Sequence, residues 1–149
     1  MRVKMKNRNN IRDFWIIVVL VYAILGFSSA RAQDDGLQKG LTLLNQGKVE
    51  EAIVVLQMEM DKDPQAPDIH LALGMSYLEK GDSALAQSHL EKVMELQPDS
   101  VPASYNLAML YEKQKNLPKA LDGWRKVLAL SKDTNLKELA RKHIRQLEQ

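Results

Sequence analysis

Apolar residues in this chain recur at intervals of three and four, in blocks separated by helix breakers. Val49, Ala52, Ile53, Leu56 and Met60 form one such block, and Leu85, Ala86, His89, Leu90 and Val93 another. That spacing puts each block on one stripe of an α-helix. The helices should come in pairs. Asp35 to Gln46 and Val49 to Asp61 make the first pair, with Gly47 between them, because glycine tolerates the left-handed conformation that stops a helix. Asp63-Pro64 ends the pair, since the residue before proline is pushed out of the α region. Pro67 or Asp68 opens the next helix and Gly81 closes it; Asp82 or Ser83 caps its partner, which runs to Pro98.

The blocks keep a fixed beat. His70-x-x-Leu73-Gly74-x-x-Tyr77, Gly81-Asp82, Ala86-x-x-x-Leu90 and Pro98 return 34 residues earlier as Gly40, Leu43, Gly47, Ala52, Leu56 and Pro64. They return 34 residues later as Leu107, Ala108, Tyr111, Ala120 and Trp124. A period held across three units predicts a stacked repeat protein, in which each unit closes its core against its neighbours. The length and small-residue spacing resemble the tetratricopeptide repeat, a helix-turn-helix unit whose scaffolds bind other proteins. The resemblance implies an all-α solenoid of three repeats over 33–66, 67–100 and 101–134, with a C-terminal capping helix at 135–149 and a signal helix ahead of them.

The third repeat departs from the beat. Ala108 replaces the glycine at the helix crossing, and Lys115 replaces the turn glycine. Asn116 and Pro118 supply a cap and a first-turn proline, and Trp124 fills the aromatic slot of the outer helix. Lys132 stands where the closing proline would be, so a looser exit is predicted. The last helix carries Leu136, Leu139, Ala140, His143, Ile144 and Leu147 on one face, with Asn135-x-x-Glu138 as an approximate capping box. Covering the third repeat is its expected job. A basic amphipathic helix can also lie on an anionic membrane.

Helical geometry splits each inner helix into two stripes about 130° apart. One packs the helices of a unit together. In tetratricopeptide scaffolds the other lines the concave groove. Here that second stripe reads Leu37, Leu41 and Leu44, then Leu71, Met75 and Leu78, then Tyr105, Met109 and Glu112. Eight of these nine are apolar or aromatic. Burying eight such side chains is worth on the order of 10–20 kcal/mol, so the stripe is either a thick core or a groove needing a cover. As a groove, softened by two methionines, it suits an apolar or amphipathic peptide segment. The resemblance implies Lys, Arg and Asn on this face where a C-terminal carboxylate is gripped. Leu and Met stand there instead, so that clamp is not expected.

Charge and the leader set the context. Residues 1–32 hold six basic groups and one acid, which leaves 15 basic against 18 acidic in the rest of the chain, a net of −3. Such a body offers no electrostatic footprint for nucleic acid. The apolar run from Phe14 to Phe27 follows the basic opening and precedes Ala30-x-Ala32, the order of a secretory signal peptide. Fourteen apolar residues rise about 21 Å as a helix, short of a ~30 Å hydrocarbon core. Cleavage after Ala32 is therefore the expectation, with an inner-membrane anchor through uncleaved residues 14–27 as the alternative. The chain has no cysteine, so neither a disulfide framework nor a cysteine-linked lipid is available. Export to a periplasmic compartment is the resulting expectation.

Nothing in the sequence argues for catalysis or a cofactor. His70, His89 and His143 each fall inside a helical pattern without a second ligand at metal-binding spacing, so they are expected to be structural. Nucleophile-elbow, phosphate-loop and dinucleotide motifs are absent. The expected function is a noncatalytic adaptor that holds a segment of an envelope protein. The alternative is a self-associating solenoid whose apolar face is an oligomer interface.

Overall fold

The computed structural model describes residues 35–149. The predicted signal segment and its apolar run 14–27 lie outside the described residues. Among the described residues all regular structure is helical: α1 (35–45), α2 (Val49–Lys62), α3 (Pro67–Lys80), α4 (Ser83–Leu96), α5 (Val101–Lys113), α6 (Leu117–Leu130) and α7 (Thr134–Leu147). They form three helical hairpins, α1–α2, α3–α4 and α5–α6, followed by α7.

The three hairpin turns are copies of one another. In each, two N–H groups reach back over the end of the inner helix: Lys48 to Leu43 and Gly47 to Leu44, Asp82 to Tyr77 and Gly81 to Leu78, Asn116 to Tyr111 and Lys115 to Glu112. This double closure satisfies the orphan carbonyls and needs a left-handed residue at the bend. Gly47 and Gly81 supply it with φ of 73° and 85°. Lys115 supplies it in the third turn with φ of 60°, so the same geometry is built there against a Cβ penalty.

Side chains then start the next helix. Asp82, Ser100 and Asn116 accept backbone N–H groups from Leu85, Ala103 and Lys119. The exit of the third repeat corrects two expectations. It is not loose: Ser131 Oγ accepts the Asp133 N–H at 3.0 Å across a three-residue link. The cap of α7 is Asp133, not Asn135, with its carboxylate accepting from Asn135 and Leu136 at 2.8 and 3.3 Å. A side-chain staple does here what proline does in the other repeats.

Close helix crossings explain the small residues. A Cβ on Gly74 would sit 2.8 Å from Leu90 Cγ, and one on Gly123 would sit 2.8 Å from Ala108 Cβ. The third hairpin has therefore moved its glycine from α5 to α6, and Ala108 is tolerated because Gly123 faces it.

The core is a chain of three clusters rather than one. The first joins Ile53, Leu56, Ile69, Leu73, Tyr77 and Ala86; the second joins Leu90, Leu107, Tyr111 and Ala120. The third joins Ala108, Trp124, Val127 and Ala140, with Leu136, Ile144 and Leu147 of α7 packed on it. From α2 onward each helix packs against the next in sequence, α1 meets α2 where Gly40 faces Leu56, and the inner helices α3 and α5 also touch. The outer helices α4 and α6 do not. A stack that is tighter on its inner side curves, with α1, α3 and α5 on the hollow face. This step-by-step packing is what makes a solenoid.

Candidate functional site

The hollow face is where the inner-helix stripe comes together. Leu37, Leu41, Leu44, Leu71, Leu78 and Tyr105 are half-buried, while Met75 and Met109 are 40% and 42% exposed. Leu37 and Leu41 lean on the first cluster, Leu71 on the second and Leu78 on both. Tyr105 packs on the third cluster, its ring edge-on to Trp124 with centroids 5.5 Å apart. None of the eight is sealed, and five of them, Leu37, Leu41, Leu71, Leu78 and Tyr105, lean on the core. The row is a floor: its flanks hold neighbouring hairpins together, and the two thioethers stand clear of it.

Glu112, the polar member of the same row, has a different task. Its Oε2 accepts the indole N–H of Trp124 at 3.0 Å and the Nδ1–H of His143 at 2.9 Å. The imidazole of His143 stacks on the indole with centroids 4.2 Å apart. Residues from α5, α6 and α7 thus close on one carboxylate. Trp124 is wholly buried at the centre of this clamp.

The other two histidines also have a structural arrangement that sequence spacing did not reveal. His70 and His89, 19 positions apart, meet across α3 and α4 with their Nδ1 atoms 3.0 Å apart. His70 Nε2 lies 2.9 Å from the carbonyl of Pro64, which can only accept, so that nitrogen carries the proton. His70 Nδ1 is then the acceptor and His89 Nδ1–H the donor. Tyr77 stacks on His89, and Gln57 donates to the Tyr77 hydroxyl at 3.0 Å. Burial, and next the neighbouring His70, hold His89 below the ordinary histidine value. The helical hairpin, not sequence distance, brings this pair together.

A cleft of about 600 Å³ lies on the opposite side, where α4 and α6 stand apart over α5. Met94, Leu107 and Tyr111 line its interior, and Glu91, Glu95, Lys119 and Lys126 its edges. None of the eight predicted groove residues lines it. Its charges are largely engaged already. Tyr111 donates to Glu91, Lys119 sits 5.0 Å over the Tyr111 ring, and Lys126 pairs with Asp122. The Tyr111 bond lowers the Glu91 pKa, and burial followed by that carboxylate raises the Tyr111 phenol. Among the described residues no group of three His, Cys, Asp or Glu side chains could hold a metal ion.

Three helical hairpins in register, a closing helix and an apolar hollow face define a helical repeat scaffold. Residues 71–131 match the family model described as Tetratricopeptide repeat. Those residues therefore carry tetratricopeptide repeat sequence, and the described stack has the fold of that family. Among curated proteins it is 33% identical over 72 residues to "Uncharacterized protein ycf37" of Pyropia yezoensis, covering 48% of this chain and 40% of that protein. It is 41% identical over 68 residues to "Tetratricopeptide repeat domain-containing protein PYG7, chloroplastic" of Arabidopsis thaliana, covering 44% and 22%. The matches thus span less than half of these relatives. Among solved structures, the first tetratricopeptide domain of Spaghetti (RPAP3) bound to the HSP90 peptide SRMEEVD superposes with a TM-score of 0.70 at 22% identity, covering 78% of this chain and 90% of that one. The Yersinia enterocolitica secretion chaperone SycD with a peptide of the translocator YopD gives 0.70 at 18% identity, covering 77% and 91%. At such identities these two show a shared fold.

Proposed function

We propose that this chain is a noncatalytic interaction module that holds an apolar or amphipathic segment of a partner protein against its hollow face. The observation that carries the reading is the exposure of Met75 and Met109, 40% and 42%, on a floor of half-buried leucines. Unbranched thioethers adapt to irregular apolar surfaces, so they suit a short helix or extended peptide laid along the row. Two structures of the same fold are described as peptide complexes, which supports the reading. An acidic C-terminal tail is a poor fit, because Leu and Met stand where a carboxylate would need Lys, Arg or Asn.

The compartment is proposed from the leader: export to a bacterial envelope, with the partner an envelope protein, after cleavage at Ala32 or with residues 14–27 kept as an anchor. Self-association through the hollow face is the competing use of the same residues. A photoreactive side chain at Met75 or Met109, followed by crosslinking in envelope extract, tests the reading. A crosslink to a distinct protein through an apolar segment supports it; crosslinks only to further copies of this chain overturn it.

A further inference from the structure

The two ends of the repeat stack carry opposite, unspent charge. Helix α7 holds Lys137, Arg141, Lys142 and Arg145 against one acid, Glu138, a net of +3. The other described residues hold 11 basic against 16 acidic groups, a net of −5. Helical geometry puts Arg141, Lys142 and Arg145 on the side away from Leu136, Ala140, Ile144 and Leu147, which pack on the third cluster, with the half-buried Lys137 at the edge of that packed stripe. Among the described residues none of the four makes an ion pair. Lys137, Arg141 and Arg145 follow one another at four-residue steps, a ladder about 12 Å long.

The outer helix of the first repeat is its complement. On α2, Glu50, Glu51 and Asp61 share the outward face with Val54 and Met58, and these three acids also lack ion-pair partners among the described residues. Val54 and Met58 are 56% and 59% exposed, the most exposed large apolar side chains in the described stack. Each ion pair between exposed side chains is worth little alone, so the contact needs several at once and an apolar patch beneath them. The apolar pair supplies what charge cannot. Arginine and lysine stems can cover Val54 and Met58 while their heads reach the flanking carboxylates.

We propose that α7 of one copy docks on the exposed face of α2 of a second copy. The contact joins two different surfaces, so it repeats head to tail and does not stop at a dimer. It uses neither the hollow face nor its methionines, so it stands or falls apart from the peptide-binding reading.

Light scattering on the full chain tests it. At low ionic strength the average mass should climb with concentration from the 16.9 kDa monomer past twice that value. Near 1 M salt, where the Debye length is about 3 Å, it should return to one copy. Arg141→Glu with Arg145→Glu should be monomeric, and so should Glu50→Arg with Glu51→Arg, each with unchanged helical content. An equimolar mixture of the two variants should associate again, because each now carries the end the other lacks. Wild-type chain that stays monomeric at low salt overturns the proposal. So does association that persists in either variant alone, or a mixture that stays monomeric.

Discussion

The carboxylate of Glu112 joins the indole N–H of Trp124 to the imidazole of His143, at 3.0 and 2.9 Å, and so ties the closing helix to the last repeat. The bond crosses 31 positions of sequence between α5 and α7. Its value lies in what its loss would expose. Glu112→Ala leaves a buried indole N–H without an acceptor and frees the imidazole, which costs about 2 kcal/mol. By contrast Glu95, which meets Lys92 at 3.0 Å in an exposed pair, should change stability by less than about 0.5 kcal/mol on truncation. Urea midpoints for the two variants make the comparison. Equal shifts would mean that the clamp contributes no more than a surface ion pair.

The third hairpin turn carries a correctable strain. Lys115 adopts φ of 60° where the first two turns use glycine. A left-handed L-residue costs roughly 1–2 kcal/mol, while glycine gives part of that back through unfolded-chain entropy. Lys115→Gly should therefore stabilise the protein by about 0.5–1 kcal/mol, a few degrees in melting temperature. Gly81→Lys should do the reverse in the second turn, since Gly81 has φ of 85°. A Lys115→Gly chain that melts below the wild type would count against the strain account.

Much of this fold is legible in the residues because its forces are local. The turn glycines Gly47 and Gly81, the stop at Asp63-Pro64 and the stripe through Ala86, Leu90 and Val93 act within one or two helical turns. Leu85, assigned to that stripe from spacing, is 43% exposed, because it lies on the stripe's edge, past the reach of α3. The exit at Lys132 has no proline to mark it, because a Ser131–Asp133 bond does the stopping. Side-chain networks were not legible at all. The His70–His89 pair and the Glu112 clamp depend on which faces two helices present to each other, which no single helix pattern encodes. The hollow row could be located by period alone. Its mixed character, with Leu41 on the core and Met75 clear of it, follows from how closely neighbouring hairpins pack.

The His70–His89 pair sets a direction for pH. Burial, then His70, lowers the His89 pKa in the folded chain, so the unfolded chain takes up a proton there first as pH falls. Stability from this site is complete above the unfolded value of about 6.5 and is lost as pH drops below it. Melting temperatures should therefore fall between pH 7 and pH 5. His89→Gln should flatten that slope while lowering stability at pH 7 through the partner lost by His70. A wild-type melting temperature that stays level or rises across the interval would contradict the assignment.

Met75 and Leu41 separate recognition from folding on the hollow face. Met75 is 40% exposed, so Met75→Lys keeps its aliphatic stem on the floor and puts the ammonium in water. Stability should change by less than about 0.5 kcal/mol. Capture of an apolar segment should weaken at least tenfold, because the bound peptide would have to desolvate the charge. Met109→Lys should behave alike, and the two together should reduce capture further. Leu41 leans on the first core cluster, so Leu41→Asp removes packing and desolvates a carboxylate, at a cost of about 2–4 kcal/mol. Circular dichroism in urea and peptide titration, read on the same samples, tell the cases apart. If Met75→Lys unfolds the chain as Leu41→Asp does, the thioethers belong to the core. The hollow face then has nothing left to offer a partner.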